Sequence, residues 1–303
     1  MALTQKKKRK IQNIASGYLF ICPVLLGILI FTYYPAVSSF IYSFQSYDGF
    51  SKFEWVGLQN FVNLFARDME TGTVFANTFL YTVITVPLGL FLGYLLALAA
   101  NMKLKGISFF RVLFYLPCMI PSVASGILWR DLLDPDFGIM YQIFSFFGLH
   151  PTFFTSASTA MATLIWTTTW GCGGGMVLWL AAFKNIGPEL YESARLDGAN
   201  TFQCVTRITI PMSTPIIFYN LVTGIIGSLQ VSTTLVMAGS TGGRGPDNSL
   251  YFVAVKIYND AFVRMGQMGY ACAFGWVLFV IIGALTFVTF KTNKWVEYGE
   301  NHG

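Results

Sequence analysis

Charge is what this chain has least of. Only 11% of its 303 residues are Asp, Glu, Lys or Arg, where soluble domains carry about a quarter. Hydrophobic residues make up 54% and the mean hydropathy is +0.58, so a soluble globular chain is excluded and an integral membrane protein follows. No Asp, Glu, Lys or Arg sits well inside any long apolar stretch. That shortage disfavours a carrier driven by protons or sodium, which places such groups near the bilayer midplane, although backbone carbonyls leave sodium open. The chain has no Gly-Lys dipeptide, so a phosphate loop for binding nucleotide is absent. Histidine is reduced to His150 and His302, far apart, and both read as solvated surface residues. Cys22, Cys118, Cys172 and Cys272 fall in apolar stretches and Cys204 in a polar one. No pair has metal-ligand spacing or a place for an exported disulfide, so no metal site and no catalytic site is assigned.

What is present is a series of charge-free runs: Ile11 to Tyr47, Thr71 to Met102, Val112 to Trp129, Phe137 to Phe183, Ile208 to Gly243 and Met265 to Phe290. A helical span needs about 20 apolar residues, so each run supplies one helix and the fold is all-α with six transmembrane helices. The fourth run is long enough for two, but Gly148-Leu-His-Pro151 and the Ser/Thr cluster after it break its first half. That half reads as a short helix at the outer surface, with the true span at 160–183. Pro23, Pro35, Pro87, Pro117 and Pro121 are expected to kink or end helices, their freed carbonyls being satisfied by neighbouring helices or water.

Lys and Arg set the orientation. With the N-terminus inside, inner segments hold 13 of them and outer segments six, Lys52, Arg67, Arg130, Arg244, Lys256 and Arg264. This bias fits the positive-inside rule and puts both termini in the cytoplasm. The run Lys6 to Lys10 then reads as a topology anchor. A signal peptide is the rival, but no small-residue cleavage site follows a short apolar core, and membrane embedding argues against nucleic acid. The acidic group Asp131, Asp134 and Asp136 reads as a solvated loop after the third span.

Between Pro188 and Pro211 the chain turns polar. Pro188 suits a first helical position, Gly198 a left-handed cap, and Asn200 with Gln203 a capping box, which predicts helix, tight turn, helix, stopped by Pro211. Leu190, Ala194 and Leu196 on the first arm, with Phe202, Val205 and Ile208 on the second, leave apolar faces for a partner to dock on; an amphipathic hairpin lying on the membrane is the plainer reading. The segment resembles the cytoplasmic loop of bacterial ABC importer permeases, which reads Glu-Ala-Ala, three residues to Gly, then Ile-x-Leu-Pro. Here it stands as Glu192-Ser193-Ala194, Gly198 and Ile208-Thr209-Ile210-Pro211, with Ser193 and Ile210 as the two small departures.

The resemblance extends over nearly the whole chain and narrows to carbohydrate permeases of the maltose-transporter type. Its blocks are Gly17-Tyr-Leu-Phe-Ile-Cys-Pro23, Tyr34-Pro35, Phe53-Glu-Trp-Val-Gly-Leu-Gln-Asn-Phe61, Phe110-Arg-Val-Leu-Phe-Tyr-Leu-Pro117, Asp134-Pro-Asp-Phe-Gly138 and Thr241-Gly-Gly-Arg-Gly-Pro246. It implies an ABC type I importer permease in a bacterial inner membrane, moving a sugar or oligosaccharide. It implies a second, non-identical permease, an extracytoplasmic binding protein, and two ATPase subunits that hold ATP and Mg; this chain itself is expected to hold no cofactor. Glu192, Ser193, Ala194, Asp197, Gly198, Ala199 and Pro211 would couple it to the ATPase. The expected organisation is a basic segment at 1–16, a permease domain at 17–290 with the coupling loop at 184–211, and a cytoplasmic tail at 291–303.

For the solute path, Asn220, Thr223, Gly227, Gln230 and Thr234 recur at spacings of three and four, a polar stripe on one helical face. Such a stripe lines a cavity or bonds across to another helix. Trp166 and Trp170, one turn apart beside Gly171 and Gly173-Gly-Gly175, either stack on sugar faces or anchor at the interface. Two rival functions remain at this stage: an ion-coupled carrier or channel acting without an ATPase, and a membrane enzyme.

Overall fold

The computed structural model describes residues 16–50, 53–102, 104–264 and 266–296. The run Lys6 to Lys10, Lys52, Lys103, His302 and residues 297–303 of the expected tail lie outside the described residues. Two compact units form, one from the described parts of Met1–Arg67 with Asp260–Trp276, the other from those of Asp68–Asn259 with Val277–Gly303.

In the first unit, α1 (Ser16–Tyr42) leads to a hairpin of β1 (Gln45–Tyr47) and β2 (Phe53–Trp55), then to α2 (Gln59–Ala66). No strand was expected here. The pairing is antiparallel, with Gln45 opposite Trp55, and local chemistry explains it: Gly49 takes φ +93 and the Phe50 N–H donates to Asp48 Oδ1 at 2.9 Å, turning the chain back. The Asn60 amide ties α2 to the hairpin, donating to the Ser43 and Gln45 carbonyls at 2.9 Å each. The first turns of α14 (Met268–Lys291) complete this unit. Trp276 packs edge-on to Phe40 at 4.8 Å and donates to Ser39 Oγ at 3.2 Å.

The second unit holds α3 (Glu70–Asn101), α4 (Ile107–Tyr115), α5 (Ser122–Leu132), α6 (Ile139–Phe146), α7 (Ala157–Thr169), α8 (Met176–Lys184), α9 (Pro188–Leu196) and α10 (Thr201–Met212). It continues with α11 (Thr214–Leu229), α12 (Thr234–Met237), α13 (Val253–Tyr258) and the remainder of α14. Among the described residues, α1, α3 and α14 are continuous helices long and apolar enough to cross a membrane. The pairs α4–α5 and α10–α11 qualify only as bent spans, at 97° and 65°. The span expected at 160–183 is α7 and α8, parted at Trp170–Gly175 by a 3-10 turn, Cys172–Gly175. Each expected stretch therefore carries helix, and α6 is the short helix foreseen in the fourth.

The prolines act in different ways. Pro121 caps α5 at the 97° bend and Pro117 lies in a 3-10 turn, whereas Pro87 sits inside the unbroken α3. Pro35 and Pro211 each follow a π turn, Leu29–Tyr33 and Val205–Thr209. There the Tyr34 N–H donates to Leu29 O and the Ile210 N–H to Val205 O, five residues back. This wider turn relieves the clash between a proline ring and the carbonyl four residues before it. The second hairpin helix therefore does not stop at Pro211; it runs to Met212 and breaks at Ser213.

At the opposite end of α3 from α4, a charged strap fixes the segment before α13. Lys256, fully buried, reaches Asp68 Oδ2 at 2.8 Å and Glu70 Oε2 at 3.0 Å, while Arg244 reaches Glu70 Oε1 at 2.6 Å. Arg244 also lies 4.3 Å over the Tyr251 ring. Asn77 donates to the Asn248 and Tyr251 carbonyls, and the Val253 N–H donates to Thr78 Oγ1. Replacing Lys256 by Met removes the buried cation and takes one partner from Asp68 and one from Glu70, which keeps Arg244. The cost is about 2 kcal/mol, toward the low side for a buried pair because Asp68 and Glu70 keep some solvent contact. K256M is therefore expected to lose its monodisperse elution peak at a lower temperature than wild type in detergent, and equal heat resistance would contradict the strap.

Candidate functional site

A cavity of about 430 Å³ opens among α3, α7, α8 and α11. From α3 it takes Tyr81, Thr85, Gly89 and Gly93, four residues apart and so on one face, with Val86 and Leu90 beside them. Thr168 and Thr169 line it from α7, Gly171, Cys172 and Gly175 from the broken segment, and Trp179 from α8. From α11 come Asn220, Thr223, Gly224, Gly227 and Ser228.

The lining side chains carry no formal charge, and the hydroxyls of their threonines and serine are oriented in one sense. Thr85, Thr168, Thr169, Thr223 and Ser228 each donate to a carbonyl of their own helix. Their lone pairs remain to accept. Asn220 likewise donates from its amide nitrogen to Ile216 O at 2.9 Å, leaving Oδ1 as its acceptor.

The glycine run divides its work. A Cβ on Gly173 would overlap the Phe114 carbonyl, so this glycine allows the backbone after α7 to pack on α4. Gly175 faces the cavity between the Trp179 indole and Asn220 Oδ1.

Of the expected stripe, Asn220, Thr223 and Gly227 meet at the cavity. Gln230 and Thr234 do not line it, because α11 ends at Leu229 and the helical period ends with it. Gln230 is exposed, and Thr234 is buried in the separate α12. Trp166 and Trp170 also stand off the lining: they pack on Trp129, with ring centres 5.3 and 5.4 Å away. The contribution of α3 was not recognised in the sequence, although the spacing of four from Tyr81 to Gly93 was there to be read.

The polar segment forms the expected hairpin. Pro188 opens α9. Gly198 has φ +84, and the turn closes as a Schellman motif, with the Ala199 N–H donating to Ala194 O at 2.9 Å and the Gly198 N–H to Arg195 O at 3.0 Å. The Asn200 and Gln203 side chains each accept from the other's backbone N–H, at 2.9 and 2.8 Å. The turn is thus closed by its own local bonds, and Leu190, Leu196 and Phe202 face outward, Leu196 at 89% exposure. Ala194, Asp197, Gly198 and Ala199 line a small pocket of about 290 Å³ in the elbow with Arg207 and Ile208. Glu192 and Ser193 are exposed.

Comparison with known proteins places this architecture. The family described as binding-protein-dependent transport system inner membrane component matches residues 85–297, a region that contains the hairpin and most of the cavity lining. The probable ABC transporter permease protein YesP of Bacillus subtilis (strain 168) is 38% identical over 97% of this chain and 96% of its own. The lactose transport system permease protein LacF of Rhizobium radiobacter is 30% identical over 97% and 99%. Among solved structures, a chain of a bacterial alginate ABC transporter, crystallised in complex with an alginate pentasaccharide-bound periplasmic protein, superposes with a TM-score of 0.82 at 25% identity, covering 94% of this chain and 96% of that one. By the extent of the family match and the identity to these relatives, this chain belongs to the family of binding-protein-dependent transport system inner membrane components.

Proposed function

We propose that the chain is a permease subunit of an ATP-driven importer that carries an uncharged sugar or oligosaccharide delivered by an extracytoplasmic binding protein. The capped hairpin carries this reading. It holds three large apolar side chains, Leu190, Leu196 and Phe202, outward on a rigid turn, as a docking surface does. The occupant is an ATPase subunit that supplies ATP, Mg and hydrolysis. Glu192 makes a polar contact with it, Ser193, Ala194 and Ala199 pack in its cleft, Asp197 and Gly198 form the tight turn, and Pro211 sets the exit toward α11. The Lys and Arg bias supports a cytoplasmic hairpin and cytoplasmic termini. It also supports the division into a basic segment at 1–16, a permease domain at 17–290 and a tail at 291–303.

The cavity supports the substrate class. A wall of acceptor oxygens, with the Trp179 indole N–H and the Tyr81 hydroxyl beside them and no formal charge, suits a polyhydroxylated solute, whose hydroxyls both donate and accept. The lactose permease among the relatives agrees with a sugar. A second, non-identical permease would close the path, and ATP-driven closure of the motor subunits would move the hairpin and rock the spans between inward-facing and outward-facing states.

Purification of the tagged chain from its native membrane is expected to retain a second permease and an ATPase whose activity rises with sugar-loaded binding protein. A chain that emerges alone and moves solute in vesicles would overturn the reading. Two substitutions separate its parts. A Cβ at Gly227 meets nothing within 4 Å, so Gly227→Leu should fill the lumen and abolish uptake while heat resistance is unchanged or raised, since glycine inside a helix costs about 1 kcal/mol. At Gly198 the strain is in the backbone, about 1 kcal/mol for a side chain at this φ, and Gly198→Asp also puts a charge on the docking face. It is expected to hydrolyse ATP without transport at normal membrane levels; coupled uptake would refute the docking role.

A further inference from the structure

Two hydroxyl pairs stand between the hairpin and the cavity, all within one compact unit. At the hairpin, the Tyr191 hydroxyl of α9 bonds Thr209 Oγ1 at 3.0 Å. Thr209 is buried at the end of the π turn and its carbonyl accepts from the Ser213 N–H at 3.1 Å. Ser213 is the residue at which α10 and α11 bend by 65°, and it is fully buried. Its Oγ donates to Ile210 O at 3.0 Å. With that single proton committed, the Tyr94 hydroxyl, 3.1 Å away, is the donor to Ser213 Oγ.

Tyr94 belongs to α3, and its ring stands edge-on to Trp179 at 4.9 Å and Phe183 at 5.3 Å. These rings sit in a core with Ala97, Ala100 and Met176, and Trp179 lines the cavity. A phenylalanine at 94 would keep all of that packing. The hydroxyl adds one thing, a directional bond to the bend.

We infer that the Tyr94–Ser213 hydrogen bond is the positioning linkage through which displacement of the hairpin reaches the cavity wall at Trp179. Apolar contacts have no preferred direction, whereas a hydrogen bond is directional and ties one point on α3 to the pivot of α10 and α11. Movement of α9 and α10 is passed through Thr209 to Ser213, and the bond carries it to Tyr94 and the indole against it. Tyr94 and Ser213 touch no solute; they act through Trp179. The inference rests on the hairpin being the site where the ATPase docks.

The test is hydrogen–deuterium exchange on the whole importer complex in nanodiscs, with and without trapping by ATP and vanadate. In wild type, trapping is expected to change exchange both in the hairpin, residues 199–213, and in the cavity wall, residues 171–180. In Tyr94→Phe the hairpin change persists and the wall change falls at least about threefold, the factor expected from loss of one ordinary hydrogen bond. Ser213→Ala gives the same pattern from the other end of the bond, so the result does not depend on one variant folding. The double variant shows no further loss, and Ser213→Thr, which keeps a hydroxyl, restores the wall response. A full wall change in either single variant overturns the linkage and leaves the docking reading intact. A wild-type hairpin that does not respond to trapping overturns both.

Discussion

A chain in hydrocarbon has no water to satisfy its backbone, so each departure from helix must be answered by another part of the protein. Much of this structure follows from that constraint. The helix expected at 160–183 breaks at Trp170–Gly175, and the broken segment is met by the end of α4 and the turn after it. Gly173 lies against the Phe114 carbonyl, and the Cys118 thiol donates to Gly171 O at 3.2 Å. Gly171, Cys172 and Gly175 then form part of the cavity wall. The cavity is the place where one helix unwinds and a second approaches closely enough to satisfy it.

The hairpin, a polar segment with exposed residues, is instead held by local bonds. Its turn is closed by a Schellman motif and a capping box, so its shape is held by bonds within the turn itself. This independence is why Leu196 and Phe202 can stand exposed on a rigid mount. A loop that needed its partner to satisfy its backbone would pay the ordering cost on each docking event.

What could be read in the sequence divides along the same line. The hairpin was legible because its signals lie within a few residues of one another: Pro188, Gly198, and Asn200 with Gln203. The spans were legible because apolar runs reflect the bilayer directly. Breaks were harder, since an end such as Leu229 leaves no local mark, and a stripe drawn at helical period ran on past it to Gln230 and Thr234. Lys256 was read as an outer-loop charge because its acidic partners are remote in sequence; Glu70 lies 186 residues away. The face of α3 was missed for another reason. Tyr81, Gly89 and Gly93 are not conspicuously polar, so a search for polar stripes passes over a wall built partly of glycine.

Helix α3 is where these features meet. It runs unbroken for 32 residues, whereas the helices facing it across the cavity are interrupted, α7 from α8 and α10 from α11. Its first turn bears Glu70, bonded to Lys256 and Arg244. Its middle bears the cavity strip, and its last turns bear Tyr94 and the Ala100 carbonyl, which accepts two hydrogen bonds from the Arg111 guanidinium at 3.0 and 2.7 Å. A continuous helix resists bending because its hydrogen bonds act in series along the axis, while a broken one turns at a single residue. On the proposed docking, force arriving at Ser213 would meet a rod secured at its head by buried charge and opposed by hinged neighbours. The hinges would then yield before the rod, and the displacement would change the width of the cavity between them.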